Sequence, residues 1–217
     1  MGTADNFNLN LNERVYLHIR NKIVNNELKP GTRLDYSQFQ KELGISKTPL
    51  RDAFHFLQQD GLIEVKSRSG TFVSTPDAKD IEEIYNIRKA LEREAIGSAV
   101  ERVSKETLEL LLEDVMIADE AINKGEFQPF FESDRNLHNT FIYSSGNQRL
   151  IKIMDSLETQ IAWLGVIIAK SNERPYQASI RHKQLLSALL EEDTIAAQTI
   201  MEQHIEEIKQ MTLKDFL

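Results

Sequence analysis

Residues 15–74 read VYLHIRNKIVNNELKPGTRLDYSQFQKELGISKTPLRDAFHFLQQDGLIEVKSRSGTFVS, and the order of periodic and turn-forming pieces in this run decides the fold. Val15, Ile19, Ile23 and Val24 recur at helical spacing, and Leu28-Lys29-Pro30-Gly31 closes that helix with a turn. Asp35, with Gln38 three residues on, marks the start of a second helix that buries Tyr36, Phe39 and Leu43 and stops at Gly44. A third helix starts at Ser46, tolerates Pro49 in its first turn and buries Leu50, Ala53, Phe54 and Leu57 before Gly61 ends it. Leu62–Lys66 and Thr71–Ser74 are β-prone runs on either side of Ser67-Arg68-Ser69-Gly70, the pattern of a hairpin.

Two short helices joined by a glycine-containing turn are what helix-turn-helix recognition requires, because the second helix must enter the major groove N-terminus first. Here that N-terminus carries Ser46, Lys47, Thr48 and Arg51, which supply two hydroxyls, an ammonium and a guanidinium for phosphates and base edges. Arg68, Ser69 and Gly70 at the hairpin tip form a wing. The whole run resembles the winged helix of the GntR family, with LKPGTRL, LGISKTPLRDA, DGLIEV and SGTFV in the family's order and spacing. The resemblance implies a DNA-binding role for Ser46, Lys47, Thr48, Arg51, Arg68, Ser69 and Gly70. Lys47 stands where the family more often has Arg, which replaces a bidentate fork by a point charge.

Outward from this run the texture changes. From Asp77 no strand pattern remains, and helices are expected at 77–101, 104–124, 128–144, 147–169, 174–191 and 194–213. Gly125 and Gly146 follow two helix ends, Pro129 and Pro175 lie near two starts, and short connections imply an antiparallel six-helix bundle. The expected architecture is mostly α, with a winged helix-turn-helix over 9–75 and an all-α bundle over 76–217.

Charge divides the same way. The chain is net −8, yet residues 11–75 carry ten Lys/Arg against seven Asp/Glu, and residues 76–217 carry sixteen against twenty-six. A cationic front suits a polyanion and an acidic rear suits solubility. No apolar run approaches the roughly 20 residues of a membrane span, and MGTADNFNLN lacks the features of a secretory signal, so a cytoplasmic location with no membrane partner is expected. With no cysteine in the chain, any metal must be held by His, Asp or Glu.

The bundle supplies such residues on its apolar stripes. Asp134 and His138 are four apart on a face shared with Phe130, Phe131, Leu137 and Phe141. His182 precedes Leu185, Leu186 and Leu189 at helical spacing, and His204 lies between Ile200 and Ile208. A single inward histidine is more often a hydrogen-bonded core residue than a ligand. An inward carboxylate beside three such histidines is costly unless something neutralises it. The set of three nitrogens and one oxygen suits a divalent transition metal, Zn²⁺ foremost, or Ni²⁺, Mn²⁺ or Fe²⁺, with coordination positions left open. Arg88, placed in a stripe with Ile84, Leu91 and Ala95, is either an internal salt bridge to a carboxylate such as Asp134 or a fork for a carboxylate ligand.

Residues 77–213 resemble the all-helical FCD effector domain of the FadR subfamily within GntR, through EIYNIRKALE, DRNLHNTF, SSGNQRL, RHKQLLSALLEED and AAQTIMEQH. Six helices resemble the shorter VanR-type variant. The resemblance implies Asp134, His138, His182 and His204 as metal ligands and Arg88 as the contact to a small carboxylate effector; Asn147 matches an Asn common in the family and reads as a helix cap rather than a ligand. The expected function is a transcription regulator that binds double-stranded DNA at a palindromic operator as a homodimer, its affinity controlled by that effector. The alternative is a metal-dependent enzyme using the same His₃Asp site.

Overall fold

The computed structural model describes residues 10–168 and 173–216. Among these residues the chain forms nine helices and one three-stranded antiparallel sheet. Their contacts divide them into two compact units, one running to Pro76 and joined by residues 157–167, the other holding residues 77–156 and the described residues from 168 onward.

The first unit opens with α1 (Leu11–Val24), started by a capping box in which Asn10 and Glu13 exchange side chain-to-backbone bonds. Strand β1 (Arg33–Leu34) leads into α2 (Tyr36–Leu43), whose first turn is capped by Asp35 accepting from the Ser37 and Gln38 N–H groups. Gly44 ends α2 in the left-handed conformation, φ 64°, which lets the chain reverse into α3 (Lys47–Gln59). Strands β2 (Ile63–Lys66) and β3 (Gly70–Val73) form the expected hairpin, with Ile63 opposite Val73 and Lys66 opposite Gly70. The sheet order is β1-β3-β2, so β1 adds a third strand to what the sequence shows as a hairpin alone. A two-residue strand has no alternation to read; it forms because Arg33 and Leu34 lie opposite Phe72 and Thr71.

The core of this unit joins Val15, Ile19, Ile23, Phe39, Leu50, Phe54, Leu57, Leu62, Ile63 and Val73 with Trp163. Trp163 comes from α7 (Gln148–Ile168), whose residues 157–167 belong to this unit. Two polar ties hold that stretch. Gln160 Nε2 donates to the Asp60 carbonyl at the end of α3 (2.9 Å), and Arg20 donates from Nε and Nη2 to Thr159 Oγ1 (3.1 and 2.9 Å).

The second unit contains α4 (Ala78–Ala99), α5 (Lys105–Asn123), α6 (Gln128–Ser144), the start of α7, α8 (Glu173–Leu190) and α9 (Thr194–Phe216). Gly125 and Gly146 take positive φ just beyond α5 and α6, and Asn147 Oδ1 accepts from the Arg149 and Leu150 N–H groups, as its reading as a cap requires. Helix α4 packs along α9 and against α6, α5 packs on α6 and α8, and α8 pairs with α9. Ile81, Tyr85, Ile96, Leu111, Val115, Leu137, Phe141, Leu186 and Ile205 fill the space between them. Three polar stripes, on α4, α6 and the α8–α9 pair, meet inside that apolar shell.

Candidate metal centre and DNA-reading face

Asp134, His138, His182 and His204 converge inside the bundle, with one ligand atom from each lying within 4.8 Å of all the others. The histidines are buried and Asp134 keeps the most access, its side chain 28% exposed. Helix α6 brings Asp134 and His138 together at a four-residue interval, while α8 and α9 contribute one histidine each. His204 Nε2 lies 3.3 Å from both His182 Nε2 and His138 Nε2. Asp134 Oδ1 lies 3.5 Å from His182 Nε2 and 3.7 Å from His138 Nε2.

These separations fit a cation. Atoms bound about 2.0–2.1 Å from a tetrahedral Zn²⁺ stand about 3.3–3.4 Å apart, close to the edges of this cluster. Hydrogen bonding accounts for the arrangement less well, since three imidazole Nε2 atoms face one another and His204 Nδ1 is buried with no partner.

Behind His138 stands a residue that the sequence reading missed. Glu92, 2% exposed, accepts from His138 Nδ1 with one carboxylate oxygen and from Arg88 Nε, 2.5 Å away, with the other. An ionised carboxylate can only accept, so His138 carries its hydrogen on Nδ1 and turns Nε2 toward Asp134 and His204. Arg88 therefore makes an internal salt bridge, with Glu92 as its partner rather than Asp134. The signal for Glu92 was present. The buried positions of α4 are Ile81, Tyr85, Arg88, Glu92, Ala95, Ile96 and Ala99, a three-four spacing that passes through both charged residues. Ile84 and Leu91, expected inward beside Arg88, are only half-buried.

The electrostatics follow from burial and these partners. Burial opposes charge on Glu92, but Arg88 and His138 outweigh it and hold the carboxyl at about 2. Burial likewise opposes ionisation of Asp134, and His138, His182 and Arg88 overcome it, so its pKa falls well below the usual carboxylate range. His138 loses some basicity to burial and gains more from Glu92 and Asp134, ending near 8. His182 is pushed down to about 4 by burial, against the pull of Asp134. His204 is lowered further by burial and by His182 and His138.

On the other unit, Ser46, Lys47, Thr48 and Arg51 are all exposed at the start of α3. Ser46 occupies the N-cap position and is exposed, but its hydroxyl makes no capping bond, so the expected cap is positional only. The Arg51 side chain is 71% exposed, with a loose 3.9 Å approach to Asp52. At the hairpin tip Arg68 and Ser69 are exposed, Arg68 at φ 61° and Gly70 at φ 125°. The Arg33 guanidinium lies over Gly70, so a Cβ there would come within 3.1 Å of Arg33 Nε. Arg33 is thus a second cation at the wing, invisible to sequence reading because β1 itself was.

Comparison with known proteins agrees with both halves. Residues 11–73 match the model of the bacterial regulatory proteins of the gntR family, and residues 83–207 match the FCD domain. The chain is 26% identical over 198 residues to the uncharacterized HTH-type transcriptional regulator YdhC of Bacillus subtilis, covering 89% of this chain and 88% of that one. It is 24% identical over 200 residues to the HTH-type transcriptional repressor RspR of Escherichia coli, covering 92% and 88%. Among solved structures, E. coli McbR/YncC superposes with a TM-score of 0.80 at 21% identity, covering 96% of this chain and 100% of that chain. The family and these two curated relatives are transcription regulators, which removes the metal-dependent enzyme as a reading of the His₃Asp cluster. A GntR-type helix-turn-helix followed by an FCD domain makes this chain a member of the GntR family of bacterial transcription regulators.

Proposed function

We propose that this regulator binds a palindromic operator as a homodimer and that a small carboxylate, held at a divalent metal in the FCD bundle, sets its affinity for DNA. The observation that carries the reading is the convergence of the three histidines and Asp134 at separations suited to one ion. Asp134, His138, His182 and His204 would hold the metal, with Zn²⁺ favoured by the nitrogen-rich set and its near-tetrahedral edges. When bound, the metal supplies a Lewis-acidic position for an anion.

The chain's own residues prepare that position. Glu92 fixes the tautomer and ring orientation of His138, and Arg88 anchors Glu92. With Nε committed to Glu92, Arg88 would meet an effector carboxylate through its Nη groups. Metal, Asp134, Glu92 and Arg88 together leave the site net positive, which favours an anionic ligand over a neutral one.

On DNA, Lys47, Thr48 and Arg51 would reach into the major groove, with Ser46 bonding phosphate. Arg68, Ser69 and Gly70 would place the wing at the minor groove, and Arg33 would add a phosphate contact. A dimer supplies two such readers related by the two-fold axis of the operator.

The test has two stages. A melting screen of the zinc-loaded chain with small carboxylates should find a ligand that raises Tm by mass action. The affinity for a duplex selected from a random-sequence pool should then change when that ligand is saturating. A ligand that stabilises the protein yet leaves DNA affinity unchanged would defeat the proposed control.

A further inference from the structure

Among the described residues, Arg174 is a largely buried cation with no carboxylate beside it. Arg174, in the first turn of α8, donates from Nη2 to the Tyr85 hydroxyl (2.9 Å), while its Nη1 is buried without a hydrogen-bond partner. Among the described residues no carboxylate lies within 4.0 Å of it, although Arg88, Lys89, Arg181 and Lys183 of the same unit all have one. A buried guanidinium nitrogen left unbonded is costly, so the position makes sense as one awaiting an acceptor.

Its neighbours are buried hydroxyls rather than solvated surface groups. Tyr85 is 1% exposed and Thr212 is fully buried, and the Thr212 hydroxyl lies 3.4 Å from the Tyr85 hydroxyl. Tyr85 also ties Arg174 to the metal side of the bundle. It lies one turn before Arg88 on α4, and the Arg88 guanidinium stands 5.9 Å from its ring centroid. Two guanidinium groups thus share one tyrosine. Arg88 continues through Glu92 to His138, and Arg174 offers its open Nη1.

We infer that Arg174 is a second anion-binding residue of the effector site, and that the effector class is a dicarboxylate. This rests on the proposed metal-and-Arg88 site, where the first carboxylate is held. The second carboxylate is received by Arg174 Nη1, with the Tyr85 hydroxyl holding the guanidinium in place from Nη2. A monocarboxylate leaves Nη1 unbonded and binds more weakly.

Calorimetric titration of the zinc-loaded full chain with acetate and butyrate, and with the dicarboxylate series from malonate to adipate, tests this. At least one dicarboxylate should bind about tenfold or more tighter than the monocarboxylates, the worth of one charge-assisted hydrogen bond. Arg174→Gln should abolish that preference while keeping the metal content and the monocarboxylate affinity, and Arg174→Lys should restore part of it. Equal binding of mono- and dicarboxylates by the wild type, or a preference that survives in Arg174→Gln, overturns the inference and leaves the metal-and-Arg88 reading standing. Binding of no carboxylate overturns both. If Arg174→Gln loses its zinc, then retention of the full preference by Arg174→Lys and by Tyr85→Phe together overturns it, since neither offers the same held fork.

Discussion

Glu92 joins Arg88 on one oxygen to His138 on the other, and this makes it the residue on which the proposed metal centre most depends after the ligands themselves. Partners of this kind typically contribute 10–100-fold to metal affinity. Glu92→Gln, which keeps the shape and removes the charge, should therefore weaken Zn²⁺ binding by about 10–100-fold, read by competition against a chromophoric chelator. The same residue sets a pH dependence. With His138 near 8 and His182 near 4, His138 alone among the ligands still carries a displaceable proton at neutral pH. That proton is on Nε2, because Nδ1–H is retained by Glu92. Metal binding should release about one proton at pH 7, and affinity should rise about tenfold per pH unit between pH 5 and 7 and flatten above 8. Calorimetry in buffers of different ionisation enthalpy reads the proton directly, and pH-independent affinity across that window would contradict the assignment.

Among elements, the helices were legible because each carries its own punctuation. Gly44, Gly125 and Gly146 take the left-handed conformation their positions suggest, and the stripes of α6, α8 and α9 bury the histidines that periodicity placed inward. On helix α4 the periodicity places Arg88 and Ala95 inward, as the structure has them, but takes Ile84 and Leu91 in place of Tyr85 and Glu92, because the aliphatic residues are the more apolar choice at each step. A buried ion pair has no hydropathy signal; only the three-four spacing from Ile81 through Ile96 reveals it. Strand β1 and the grouping of residues 157–167 with the N-terminal unit were not legible at all, because both arise from long-range pairing. Gly44 offers a test of the turn before α3. No atom lies within 4 Å of an added Cβ, so Gly44→Ala should cost only the backbone strain of φ 64°, about 1–2 kcal/mol. Urea unfolding followed by Trp163 emission measures it. On α3, Lys47→Ala and Arg51→Ala should each lower DNA affinity and, where the contact is to phosphate, reduce the salt slope by about 1. Loss of discrimination between duplexes instead would mark a base contact.

For the whole molecule, the sequence divides function between a cationic reader and an acidic, histidine-bearing bundle, and the structure keeps each as a compact unit. If the two are coupled as proposed, DNA and effector must alter each other's affinity by the same factor, typically about 5–150-fold. Effector titrations with and without saturating operator check that reciprocity, and unequal factors would break the linkage. Everything on the sensing side stands on one claim, that Asp134, His138, His182 and His204 hold a metal. The direct measurement is elemental analysis of the full chain after loading with Zn²⁺ and desalting, beside a His138→Ala, His182→Ala double variant that keeps its helical circular dichroism. One site built by these four ligands predicts about one zinc per chain in the wild type and loss of it in the variant. Full zinc retained by the variant, or none held by the wild type, would contradict the account.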